Sequence, residues 1–372
     1  MPIELSEVRT PAQRKAFIRF PWRIYRGDPN WVPPLLRDVG RLIDPAVHPF
    51  HQHAETAHFL AWRDGEPVGR IAACVNRLHN ETHAEKTGFF GFFEVVDDPA
   101  TAKLLLDQAA AWVKARGMER LRGPASYSTN EECGVLVDGF DRPPVFLMAY
   151  NPRYYPALIE GQGFAKAMDL LAYDIDARRE INMRGMERVA ERARRTVNAT
   201  VRTVDLSRFR EEVEVVRQIY NQAWSRNWGF VPMTHEEFDF AAADFKAIVD
   251  PRMLVFIHVG NRPVGFSLTV PDMNQAFRHM DGRLFPFGFL KFLWYKRKIR
   301  SARTIMLGVV PDLLKSGVAQ LLLYETITRG VGNGFPHSEM SWVLESNTLM
   351  CHAAERLGGK LYKRYRMYDR PL

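Results

Sequence analysis

Cysteine is scarce in this chain. Only Cys74, Cys133 and Cys351 occur in 372 residues, far apart and never as CxxC. That spacing argues against a disulfide scaffold or a cysteine-based zinc site and fits a reducing compartment, so a cytoplasmic protein is expected. Long apolar runs are missing too. A membrane-spanning helix needs about 18 or more such residues, and the longest stretch, 284–295 (LFPFGFLKFLWY), is short and interrupted by Lys291. The opening residues MPIELSEVRT lack a basic stretch followed by an apolar run, so no signal peptide is expected. Low-complexity segments are absent, and acidic residues are in deficit. The 51 Lys and Arg against 43 Asp and Glu give a net charge of +8. This favours an anionic partner such as a phosphorylated cofactor, RNA or an acidic membrane surface, without choosing among them.

What the chain does contain is a repeat. Residues 59–75 (FLAWRDGEPVGRIAACV) correspond to 256–270 (FIHVGNRPVGFSLTV). Ile24-Tyr25 before Asn30-Trp31 returns as Ile219-Tyr220 before Asn227-Trp228. Glu160-x-x-Gly163 leading to Tyr173 returns as Glu355-x-x-Gly358 leading to Tyr368. All three landmarks recur at an offset of about 195 residues, as expected for one fold used twice. A length of 372 residues fits two domains.

Periodicity and turn residues give the element order. The first copy reads as a strand at 3–8, helices at 11–25 and 33–43, and a hairpin turning at Asp64-Gly65. An aromatic strand at 87–94 follows, then a helix from Asp98-Pro99 to Arg116. Strands at 120–123, 145–149 and 165–176 and a helix at 152–160 complete it. An arginine-rich stretch, 178–198, reads as a linking helix. The second copy repeats the order: strand 200–204, helices 206–226 and 234–248, hairpin 254–270 and strand 303–310. Helix 315–329, strand 338–344, helix 348–357 and strand 360–368 follow. The expected division is therefore 1–177, linker 178–198, and 199–372 with an insertion at 271–301.

This order, together with GFFGFFE (88–94), RGPASYSTNEECGVLVDG (122–139) and NWGFVPM (227–233), resembles the GCN5-related N-acetyltransferase (GNAT) superfamily in tandem. The likeness covers nearly the whole chain, and the three phrases resemble a bacterial group of acyltransferase-like proteins. The resemblance implies an α/β (α+β) fold with two GNAT-like domains, each a mixed, mostly antiparallel central sheet flanked by helices. It also implies acetyl-CoA or another acyl-CoA as cofactor and no metal. The superfamily's cofactor loop, Gln/Arg-x-x-Gly-x-Gly/Ala, matches Leu314-Lys315-Ser316-Gly317-Val318-Ala319 after Val309-Val310, with Leu314 replacing the usual Gln or Arg. Backbone N–H groups at such a helix start hold a diphosphate. Asn347 matches a frequent cofactor-contacting asparagine and is equally an N-cap candidate. The first copy has Asp97-Asp98-Pro99 at the corresponding place. Two carboxylates there repel a diphosphate and read as helix caps, so the first copy is expected to be degenerate.

Acyl transfer to an amine needs a base, an oxyanion partner and an acid for the leaving thiolate. The superfamily's usual tyrosine acid is replaced by Ala354. Catalytic candidates are therefore Glu339, Glu345 and Tyr368. Tyr220, Asn227, Trp228 and Phe230 are substrate-binding candidates by resemblance, or a hydrophobic closure of a helix pair. The loop carrying Ser126, Ser128, Thr129, Asn130, Glu131 and Cys133 lines an acceptor cleft or bonds to itself. His48, His51, His53 and His58 lie irregularly around Pro49 and do not form a ligand set. The basic aromatic stretch 284–300 touches a membrane surface, or packs its aromatic face on the domain.

The expected activity is transfer of an acetyl or longer acyl group from acyl-CoA to a small-molecule or peptide amine, by direct attack in a ternary complex. Two alternatives stand beside it: a FemABX-type transferase using aminoacyl-tRNA, and a non-catalytic acyl-CoA sensor or scaffold.

Overall fold

The computed structural model describes residues 2–178, 181 and 183–372. Arg179, in the stretch read as a linker, lies outside the described residues. The chain forms two compact units. Unit 1 is Met1–Leu170, Asn274–Tyr295 and Lys363–Leu372; unit 2 is Leu171–Met273 and Lys296–Tyr362.

Unit 1 opens with β1 (Glu4–Glu7), α1 (Pro11–Arg19), α2 (Pro21–Ile24) and α3 (Leu36–Leu42). The hairpin β2 (Ala54–Arg63) and β3 (Glu66–Asn76) turns where expected, with Asp64 and Gly65 both at positive φ. Then come α4 (Arg77–His83), β4 (Thr87–Val95), α5 (Pro99–Lys114), β5 (Arg120–Gly123), β6 (Val135–Asp138) and α6 (Tyr155–Glu160). Residues 145–149 are not the expected strand. Met148 donates its N–H to the Val145 carbonyl and Leu147 has φ of 62°, so the segment turns just after Pro143-Pro144.

β7 (Ala165–Asp176) leads out of the first copy, and α7 (Met183–Thr196) is the arginine-rich helix. Unit 2 then contains β8 (Ala199–Thr203), α8 (Phe209–Ala223), α9 (His235–Lys246), β9 (Leu254–Val259) and β10 (Arg262–Pro271). The insertion forms α10 (Asn274–Phe277) and α11 (Gly288–Lys296). β11 (Ser301–Val309), α12 (Val318–Gly332), β12 (His337–Leu344), α13 (Thr348–Arg356) and β13 (Lys360–Pro371) complete the chain.

Within unit 1 the strand order is β1-β2-β3-β4-β5-β13, with β6 also on β13. Within unit 2 it is β8-β9-β10-β11-β12-β7. The sequence repeat and the compact units are thus different divisions. The last strand of the second copy pairs with β5 of the first, Tyr368 opposite Gly123, and most of the insertion belongs to unit 1.

Glycines let a helix sit close on each sheet. A Cβ at Gly69 would lie 2.6 Å from Leu105 of α5, and one at Gly88 would lie 2.5 Å from Val113. α5 thereby buries Leu105, Leu106, Ala109 and Val113 against Phe59, Ile71 and Phe90. In unit 2, α12 occupies the corresponding place, and its Thr326 hydroxyl donates to Ser267 of β10 at 2.8 Å.

Candidate functional site

The central strands of each unit carry the same irregularity. On β4, Arg70 faces Glu94 and Ala72 faces Gly91, so Phe92 and Phe93 stand against Ile71 alone. On β11, Leu268 faces Met306 and Thr269 faces Thr304, so Ile305 is the extra residue. A bulge of this kind twists the strand and re-aims its groups. Beyond it, parallel pairing to the next strand stops, at Phe89–Arg122 in unit 1 and at Thr304–Met340 in unit 2.

In unit 1 the chain itself fills the resulting gap. The Ala125 N–H donates to the Phe90 carbonyl at 2.8 Å, and the Phe92 N–H to Ser126 Oγ at 3.1 Å. Gly91 is required there, because an added Cβ would lie 2.0 Å from the Ala125 carbonyl oxygen. The loop after β5 closes on itself: Ser126 N–H donates to Glu132 O at 2.9 Å, Asn130 N–H to Ser128 Oγ at 3.1 Å, and Ala125 bridges Cys133. Asp98 caps α5, accepting from the Ala100 N–H and from Arg63.

In unit 2, among the described residues, the β11–β12 register ends at Thr304–Met340, and residues 305–308 stay half-exposed. At the end of β11, Val309 and Val310 are buried, and the chain turns through 311–313 into α12. Gly317 caps that helix at φ 89°, which only glycine adopts without strain. Lys315 and Leu314 are exposed, Ser316 and Ala319 half-buried, and Val318 buried. The backbone N–H groups of Lys315, Gly317, Ala319 and Gln320 have no partner among the described residues. They are the free donors expected at a helix start. Two features limit the loop. α7 covers one side of Gly317, where a Cβ would lie 2.8 Å from Ala193 Cβ. Asp312 adds a carboxylate, which Arg262 holds in a two-pronged pair at 2.7 and 3.0 Å.

The other sequence candidates fall as follows. Asn347 acts as N-cap of α13, accepting from the Met350 N–H at 3.2 Å. Ala354 on that helix is buried. Glu339 is buried and both its oxygens accept hydrogen bonds, one from Ser341 at 2.5 Å and one from Tyr362, while Arg303 donates to Ser341. Glu345 is half-buried before α13. Tyr368 lies in the unit 1 core, its hydroxyl on Glu160 at 2.8 Å. Tyr220 and Phe230 are buried, and Tyr220 packs on Phe230, Trp224 and Phe238, the arrangement of a closed helix pair. Asn227 takes part through its backbone, donating to Trp224 O and accepting from the Phe230 N–H; Trp228 is half-buried.

Unit 1 holds a polar cluster that the sequence reading did not assemble. Buried Arg70 lies 3.7 Å from Glu94 and donates to the Phe17 carbonyl at 2.8 Å. Glu94 accepts from the Tyr25 hydroxyl at 2.9 Å and the Tyr155 hydroxyl at 2.7 Å. Burial raises the Glu94 carboxyl, with Arg70 and the two hydroxyls opposing the shift. Alongside, the Tyr127 hydroxyl and His58 Nε2 share a 2.5 Å hydrogen bond, and burial pushes His58 down to about 3, so the imidazole is neutral. Phe17 and Phe92, themselves in contact at 5.8 Å, lie 5.0 and 5.6 Å from the Arg70 guanidinium. Glu132, on the loop after β5, is exposed; crowding by the surrounding chain and the Glu94 charge raise its carboxyl, with Arg70 opposing. A signal was present: Tyr25 is a repeat landmark, and Glu94, Tyr127 and Glu132 lie inside the two phrases that carry the family resemblance.

The histidines each have a separate partner. His48 accepts from the Phe50 N–H, His51 bonds the Leu42 carbonyl, and His53 bonds Asn76.

No family profile matches the chain. Among curated proteins it is 38% identical over its full length to "Bacterial ceramide synthase" of Caulobacter vibrioides, covering 98% of that protein. It is 35% identical over 96% of its length to "Protein YghO" of Escherichia coli, covering 93% of it. Among solved structures, a tandem GNAT protein from the clavulanic acid biosynthesis pathway superposes with TM-score 0.57 at 10% identity, covering all of this chain and 98% of that one. A GCN5-related N-acetyltransferase from Sphaerobacter thermophilus gives 0.54 at 15% identity, covering 99% and 95%. No helix among the described residues is long and apolar enough to cross a membrane. The doubled bulge-and-gap frame and full-length identity to two relatives make this chain a tandem GNAT-fold protein of the family that includes the bacterial ceramide synthase and YghO.

Proposed function

We propose that the protein is an acyl-CoA-dependent N-acyltransferase whose acceptor is a long-chain amino alcohol of the sphingoid class. The observation that carries the reading is the end of the β11–β12 register at Thr304–Met340, with residues 305–308 half-exposed, followed by the N–H groups of Lys315, Gly317, Ala319 and Gln320, which have no partner among the described residues. Four donors at a helix start, with the exposed Lys315 ammonium beside them, suit a diphosphate. The Arg262 pair offsets the one carboxylate in the loop. The acceptor class is supported by the name of the 38% identical relative, a ceramide synthase, since a ceramide is the N-acyl product of a sphingoid base.

When bound, acyl-CoA supplies the acyl group as a thioester. The chain's own part is to hold the diphosphate on the 315–320 amides. Glu339, in the same unit, is not the group that takes a proton from the ammonium, because both its oxygens already accept hydrogen bonds in a buried network.

The test is to incubate the purified chain with a long-chain acyl-CoA and a sphingoid base, following free thiol and amide product by mass spectrometry. Amide formation in proportion to thiol release is expected. Thiol release without amide, or no binding of coenzyme A by calorimetry, would remove the reading.

A further inference from the structure

The insertion between β10 and β11 has an arrangement that a folded domain does not need. α11 reads GFLKFLWYK. Its inward side is already satisfied: Phe292 packs on Phe277 at 5.8 Å, and Tyr295 stacks on His279 at 3.7 Å. Its other side is apolar as well. Phe289, Leu290, Leu293 and Trp294 are exposed, Leu290 by 62% and Trp294 by 61%. Just before the helix, Phe285 is 77% and Phe287 69% exposed. Among the described residues no other segment gathers exposed large apolar side chains in this density. A helix that is apolar all round belongs in a core or in lipid, and an exposed apolar patch of this kind marks an interaction surface.

Cations accompany the patch. Lys291 and Arg283 are exposed within it, and exposed Arg297, Lys298 and Arg300 follow directly in the chain. A cavity of about 220 Å³ is lined by Leu35, Leu36, Gly282, Leu284 and Phe285 together with Arg37 and Arg283. Exposed aromatics with lysine and arginine at their edge are the composition of a segment lying in the interfacial layer of an anionic bilayer. A protein partner would need a complementary acidic apolar groove, whereas an anionic lipid surface supplies both features without one.

We infer that residues 284–294 form a monotopic docking surface for an anionic lipid bilayer, with Phe285, Phe287, Leu290 and Trp294 entering the acyl boundary and Lys291 and Arg283 meeting the headgroups. This is independent of the acceptor's identity.

The experiment is flotation of the full chain with vesicles of phosphatidylethanolamine and phosphatidylglycerol, against vesicles of phosphatidylcholine alone. The wild type is expected to float with the anionic vesicles and to be released as salt rises. Leu290→Glu with Trp294→Glu should lower the partition coefficient at least about tenfold. Lys291→Gln should lower it about fivefold, the factor matching about 1 kcal/mol per basic residue near a charged membrane. Leu349→Gln, at an exposed leucine outside the segment, should float like the wild type. Thermal melting and coenzyme A titration of the same variants report folding and the cofactor site separately. Absence of wild-type flotation, equal flotation of the doubly substituted variant, or conversion of a dimer to a monomer by that variant would each overturn the inference.

Discussion

Replacing Gly317 by Ala tests the cofactor loop at its tightest point. Gly317 sits at φ 89°, and an added Cβ would lie 2.8 Å from Ala193 Cβ on α7. Two costs follow. An alanine held in left-handed backbone is strained by about 1–2 kcal/mol, and a methyl forced into a packed helix contact costs about 1–3 kcal/mol more. Gly317→Ala should therefore destabilise by about 2–5 kcal/mol, read from urea denaturation midpoints. Ala193→Gly relieves only the second cost and carries its own mid-helix penalty of about 1 kcal/mol. The two substitutions should thus couple favourably by about 1–3 kcal/mol in a double-mutant cycle. The same samples, held at a temperature where all are folded, are titrated with coenzyme A. Weakened affinity in both Gly317→Ala variants is expected, because displacing the helix start displaces the N–H groups of Lys315 and Ala319. Zero coupling would refute the packing argument, and unchanged affinity would refute the placement of the diphosphate.

Further outcomes follow from the unit 1 cluster and the helix pair. Burial pushes His58 down to about 3 and His79 to about 4, from an ordinary value near 6.5. The folded state keeps both neutral while the unfolded chain protonates them, so their stabilisation is complete above pH 6.5 and is lost as pH falls through that value toward 4. At up to about 1.4 kcal/mol per pH unit per group, denaturation midpoints at pH 4.5 should fall well below those at pH 7.5, and a flat profile would contradict the burial. Tyr220→Ala should cost about 3–5 kcal/mol, as for other buried aromatics, with KM for the amine unchanged; a raised KM at full stability would make Tyr220 a binding residue instead.

Some of this was written in the chain at short range. Asp64-Gly65 set the first hairpin because both residues adopt positive φ readily. Asp98-Pro99 started α5, since a carboxylate at the N-cap and a proline at N1 satisfy a helix start without further help. The recurring landmarks gave the doubled order of elements, because equal spacing of turn and core residues imposes equal lengths of strand and helix. The strand expected at 145–149 failed for a local reason, the Pro143-Pro144 pair and the turn that follows it.

The candidate site was legible only as fragments. Tyr25, Glu94, Tyr127 and Glu132 were visible as parts of repeated or family-like phrases, yet their meeting around Arg70 depends on how α2, β3, β4 and the loop after β5 converge. The bulge at Phe92 and the crossing of Ala125 over Gly91 close the first gap through backbone contacts that leave no side-chain signature beyond a single glycine. Sequence by itself determined the repeat, the order of elements and the loop at Gly317, because these rest on residues near one another in the chain. Tertiary structure alone decided that β13 pairs with β5, that both Glu339 oxygens accept hydrogen bonds, and that α11 shows apolar side chains to solvent. Pairing, burial and exposure depend on which distant segments arrive beside a residue, and that arrival is settled only when the whole chain packs.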